Sequence, residues 1–214
     1  MHASIRWIAA LALTALTWCS GAAAADLGPP VAASCPEAPE ARYFPAGSTF
    51  YPPPKNAGAW DGDLFVRQWY SKHLAVMQEP SLSCGTLEAA ETYRFLWLRT
   101  FDNPIAVRVA RRGDDYSLEA VILDGQGGYE PARISRRVKR TLSGDQWRTV
   151  IAKLEEVQLW QMPTRGNEKL GKDGAQWIVE ARRDGRYHIV DRWTGNDSPS
   201  RLESCFSTSR AWAM

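Results

Sequence analysis

The stretch from Tyr93 to Asp124 constrains this chain most. It reads YRFLWLRTF, DNP, IAVRVAR, GD, DYSLEAVILD. Aromatic and β-branched residues fill each run, and turn residues separate the runs. Three such runs in tandem predict an antiparallel meander. Taking Asp102-Asn103 and Gly113-Asp114 as two-residue turns fixes the register, because cross-strand partners share a face. Leu96, Leu98, Ile105, Val107, Val109, Leu118, Ala120 and Ile122 then form one aliphatic face.

The opposite face would hold Tyr93, Phe95, Trp97, Arg99, Phe101, Arg108, Ser117, Glu119 and Val121. Large rings do not suit a solvated face, and arginines do not suit a core. In this register Trp97 opposes Arg108, and Arg108 opposes Glu119. Trp97, Arg99, Arg108 and Glu119 are therefore the candidate binding residues. Trp97 would stack on a sugar ring or an extended peptide, and the arginines would donate hydrogen bonds. The competing reading is internal: Phe50 and Tyr51 of the N-terminal segment cover this face.

Residues 1–25 read as a signal peptide. Arg6 marks the n-region, Trp7 to Trp18 is an apolar run too short to span a bilayer, and Ala23 to Ala25 form a cleavage site. The expected location is periplasmic or secreted, with cleavage after Ala25. Lipidation of Cys19 is the minor alternative, because bulky Trp18 precedes it. No later apolar run is long enough to span a membrane. The formal net charge of +2 is too small to point to nucleic acid. The partner expected is an envelope protein, a peptide or a glycan.

Beyond the signal peptide lie Cys35, Cys84 and Cys205. Export implies an oxidising compartment and one disulfide. Cys84–Cys205 is the pairing expected, because Cys35 falls in a Pro/Ala-rich extended segment over 26–59. That segment carries Tyr43, Phe44, Phe50 and Tyr51, too apolar for a mere linker, so its second half should lie across the domain.

The rest reads as one α+β domain over 60–214. Leu64, Val66, Trp69, Tyr70, His73, Leu74 and Met77 predict a helix over Asp61–Met77. GQGG at Gly125–Gly128 is a turn. Ile134–Arg140 is a fourth strand whose Arg136, Arg137, Lys139 and Arg140 could hold an anion, though such cations on an edge more simply block pairing. Ser143 with Gln146 forms a capping box opening a helix to Trp160. Ala175–Trp193 is a hairpin about Asp184-Gly185, and Arg201–Trp212 a short final helix. The fold expected is a four-strand meander plus this hairpin, with both main helices packed on one face of an antiparallel sheet.

Chemical signatures are few. The sequence has no HExxH, CxxC or GxSxG, and no cofactor or metal is implied. A non-catalytic binding or accessory protein is the function expected. The alternative is a small exported hydrolase using His188 with a nearby carboxylate, Glu180 or Asp191.

Overall fold

A computed structural model describes residues 30–45, 50, 51, 56, 58–166 and 173–194. Residues 1–25, Pro52–Pro54, Cys205 and the expected final helix lie outside them. The helices are α1 (Pro39–Tyr43), α2 (Gly62–Val76) and α3 (Gly144–Glu156). The strands are β1 (Glu91–Arg99), β2 (Ile105–Arg112), β3 (Asp115–Leu123), β4 (Ile134–Leu142), β5 (Ala175–Arg183) and β6 (Arg186–Thr194). A 3₁₀ turn spans Leu159–Gln161.

Local chemistry sets the helix starts. Asp61 Oδ1 accepts from Leu64 N and caps α2. Ser143 and Gln146 form the reciprocal capping box of α3. The strands join into one antiparallel sheet in the order β4-β3-β2-β1-β5-β6. The meander and the C-terminal hairpin are thus one sheet, fused by the β1–β5 pair.

Two of the expected registers hold. Val109 faces Leu118 and Arg108 faces Glu119 between β2 and β3. Val179 faces Val190 and Ala181 faces His188 between β5 and β6. The β1–β2 register differs. Trp97 faces Ile105 rather than Arg108, a slip of three residues. An odd slip sends every side chain of β1 to the other face.

The cause is the first turn. A two-residue turn at Asp102-Asn103 would pair Phe101 with Pro104, which has no N–H to give a ladder. Instead Thr100–Pro104 form a longer loop, and the Pro104 carbonyl accepts from Leu123 N. The GQGG segment closes that loop: Gly127 N donates to Asp102 O at 2.9 Å and Gly128 N to Thr100 O at 3.1 Å. A Cβ on Gly127 would lie 2.5 Å from Arg99 O, so only glycine permits this approach.

The slip makes the sheet apolar on both faces. On one, Leu96, Leu98, Ala106, Val121, Leu123 and Ile178 pack with Val66, Tyr70 and Leu74 of α2. On the other, Tyr93, Phe95, Val109, Leu118 and Trp177 pack with Trp147, Val150 and Leu154 of α3. Each face needs its own cover. The two main helices therefore sandwich the sheet, instead of sharing one face.

The disulfide joins Cys35 to Cys84, with Cα atoms 5.0 Å apart, and not Cys84 to Cys205. The segment around Cys35 is not loose. Val31 N donates to Gly185 O, Ala32 N to Ser83 O, and Gly85 N to Ala32 O. The last two bonds and the disulfide lay residues 32–35 beside 83–85, and the first ties Val31 to the turn before β6. Further on, Tyr43, Phe44 and Phe50 are buried in the core under α2. The N-terminal segment does cover a face of the sheet, but the one opposite Trp97.

Candidate functional site

The four residues expected to form one surface divide between the two faces. Trp97 lies on the α3 face, half-buried, its ring 5.0 Å from that of Trp177. The Arg99 guanidinium stacks 4.2 Å from the Trp97 ring centre and lies 3.4 Å from Asp102. Arg108 and Glu119 lie on the α2 face, joined at 2.8 Å. The Arg108–Glu119 pair is as the register predicted; the Trp97–Arg108 contact is absent.

Arg108 belongs to a ladder of charges that crosses the sheet beneath α2. Its cross-strand partner on β1 is Arg94, and two cations in that relation repel. Glu79, just after α2, resolves the conflict. Its carboxylate accepts from Arg108 Nε at 2.8 Å and lies 3.6 Å from Arg94. Arg94 reaches Glu180 of β5 at 2.6 Å, and Glu119 takes a further contact from Arg137 of β4. Tyr187 Oη donates to Glu180 Oε1 at 3.0 Å.

The ladder also fastens the chain that follows α2. Arg137 donates to Met77 O, Arg94 to Pro80 O, and Arg182 to Gly85 O. Cations suit the carbonyl end of a helix. Burial works to raise the Glu119 carboxyl, but the Arg137 hydrogen bond and the charges of Arg108 and Lys139 hold it below its ordinary value. Burial opposes the Arg94 charge, yet Glu180 and Glu79 hold its guanidinium above the ordinary value. Every carboxylate in the ladder faces a cation, so its work is to hold the fold.

The hydrolase set is separated by the sheet. Ala181 and His188 share a face, and Ala181 packs in the α3-side cluster. The His188 ring lies 5.7 Å from that of Trp160. Glu180 and Asp191 point to the α2 side. Asp191 accepts from Tyr70 Oη at 3.1 Å and from Gln176 Nε2 at 2.6 Å. Burial pushes its carboxyl up to about 6, although both hydrogen bonds pull it down.

Among the described residues, two openings flank the α2 face. A groove of about 500 Å³ runs over Thr92, Arg108, Ala110 and Ser117, with Arg112 and Glu88 on its rim. Arg108 is already paired twice there, and Arg112 meets Glu88 at 2.7 Å. A cleft of about 350 Å³ lies against α2, lined by Phe65, Gln68, Trp69, Lys72 and Gly128. Comparison with known families, curated proteins and solved structures finds no match to this chain.

The cleft stands out by its rings. Trp60 and Phe65 are 68% and 52% exposed, and Phe101 and Tyr129 are 58% and 55% exposed. These are the exposed large apolar side chains among the described residues, and they fall into two ring pairs, Trp60 with Phe65 and Phe101 with Tyr129, of which Phe65 lines the cleft. Rings run Tyr51–Trp60–Phe65–Trp69 with centroids 6.0, 6.0 and 6.3 Å apart. Tyr129 follows Gly128 of the cleft and lies 6.4 Å from Phe101. The Trp60 ring lies over Gly62, where a Cβ would come within 2.6 Å of it. Lys72 at the cleft wall meets Glu130 at 2.8 Å. The tight helix start at Asp61-Gly62 and the glycine loop at Gly127-Gly128 together build this shelf.

Proposed function

We propose that the protein is exported, cleaved after Ala25, and acts outside the cytoplasm as a non-catalytic binding protein whose aromatic shelf takes a chain of linked pyranose sugars. The Cys35–Cys84 disulfide supports an oxidising compartment. No helix among the described residues is long and apolar enough to cross a membrane.

Phe65 and Trp69 line the cleft, Trp60 lies against Phe65, and Tyr129, packed on Phe101, follows the cleft residue Gly128; this arrangement carries the reading. Exposed apolar rings that cluster mark a binding surface, whereas scattered ones need no explanation. Sugar rings present C–H faces that pack on aromatic faces, and hydroxyls that need polar partners. Gln68 and Lys72 supply donors beside Phe65 and Trp69. The cleft volume falls in the range of small-molecule sites. An extended peptide would gain less here, because the shelf rests on a helix and offers no open strand edge.

The test is co-sedimentation of the mature protein with purified cell-wall glycan, alongside cellulose and chitin. Binding to at least one glycan is expected, with its loss in Trp60→Ala and in Phe65→Ala at unchanged melting temperature. Failure to bind any of them, or full binding by both variants, would refute the proposal.

A further inference from the structure

The two edges of the sheet are treated differently. The β6 edge is partly occupied by the protein's own chain. Val31 N bonds to Gly185 O, Asp191 N bonds to Thr164 O, and Pro30 and Arg165 form bridges to Arg186 and Asp191. β4 closes the other side of the sheet. Among the described residues, no backbone group from another segment bonds to its outer edge. Among the described residues, the outer edge of the nine-residue β4 meets no further strand.

The side chains along this edge are sorted by face. Arg137 and Lys139 sit on the α2 face and are drawn to Glu119. Arg136, Val138 and Arg140 sit on the α3 face, opposite Ile122, Ala120 and Leu118. Arg136 and Arg140 are exposed, and Val138 is half-buried. No carboxylate among the described residues pairs with Arg136 or Arg140.

We propose that β4 accepts an acidic extended peptide as a seventh strand, with acid, apolar and acid side chains at alternate positions beside Arg140, Val138 and Arg136. Strand addition satisfies the open backbone groups of the edge, and alternate side chains then set specificity. Four strand residues span about 13 Å, so the two arginines match carboxylates four residues apart in the partner and not adjacent ones. Val138 between them meets an apolar side chain on the same face. Arginines on an open strand also serve to repel other strands. An acidic strand is the one class of extended chain that they attract.

The experiment measures anisotropy of fluorescent heptapeptides with the full mature protein. TETVTET places two acids about a valine; TKTVTKT reverses the charges; TTEEVTT has the same composition with the acids adjacent. Wild type should bind TETVTET and not TKTVTKT. Arg136→Glu with Arg140→Glu should reverse that preference, by roughly tenfold for each peptide. TETVTET carrying N-methyl groups at alternate residues, which removes strand hydrogen bonds, should not bind. Should the reversed variant fail to fold, Arg136→Gln with Arg140→Gln should lose TETVTET binding instead. No binding at millimolar peptide would leave the arginines as edge guards and overturn the proposal. Equal binding of TTEEVTT or of the N-methylated peptide would overturn it in favour of a plain anionic patch.

Discussion

Arg94 and Glu180 meet between β1 and β5 at 2.6 Å, and neither side chain has any exposure. A buried pair of this kind gives little net stability over an apolar pair, but removing one partner strands a charge. Arg94→Met or Glu180→Met alone should cost about 3–5 kcal/mol. The double variant should recover most of that loss, since Glu79 keeps Arg108 as a partner. Urea denaturation of the three variants measures both.

Asp191 makes stability fall as pH rises. Its folded carboxyl titrates at about 6, above the ordinary value of 3.8. A raised acid favours the folded state only while protonated, so the contribution is complete below about pH 4 and is lost as pH rises through about 6. Asp191→Asn mimics the protonated form: its oxygen accepts from Gln176 and its amide donates to Tyr70. Relative to wild type, the variant should gain roughly 1–3 kcal/mol between pH 4 and pH 7. Chemical denaturation across that range gives the difference. A constant difference would remove the burial account of this carboxyl.

Gly127 carries the unusual β1–β2 connection. Alanine there would press a methyl against the Arg99 backbone. Gly127→Ala should cost about 1–3 kcal/mol, as overpacking does. Gln126→Ala, next to it with an exposed side chain, should stay within about 1 kcal/mol. Thermal melts distinguish the two.

The Cys35–Cys84 bond closes a separation of 49 residues. Chain entropy puts its contribution at about 4 kcal/mol. Non-reducing peptide mapping should find the two cysteines in one linked fragment, and Cys35→Ser should lower stability by about that amount. A Cys84–Cys205 fragment would contradict this pairing.

Much of the fold was legible because local signals agreed with one another. Asp61 and the Ser143–Gln146 box marked the starts of α2 and α3, and the tight turns at Gly113-Asp114 and Asp184-Gly185 fixed two registers correctly. Reading Asp102-Asn103 as a turn failed because Pro104 cannot join a ladder. That one slip moved Trp97 to the α3 face and hid the second apolar face of the sheet. Arg94 and Glu180, lone charges within apolar strands, carry a signal for a buried pair that the reading of strand faces left unused. Glu79 lies in a loop, and only the folded chain brings it between Arg94 and Arg108. The shelf had a quieter signal: Phe65 is a large apolar residue off the buried stripe of its helix.

The most direct measurement is a glycan titration followed through the indole N–H signals of the ¹⁵N-labelled mature protein. Soluble fragments of the same glycans used for sedimentation serve as the ligand panel. With a fragment that binds, the signals of Trp60 and Trp69 should move and saturate, because their rings form the shelf. Those of Trp97, Trp147 and Trp177, packed on the α3 face, should stay in place. Movement of Trp97 and Trp177 with Trp60 unmoved, or no movement with any fragment, would contradict a sugar-binding shelf on α2.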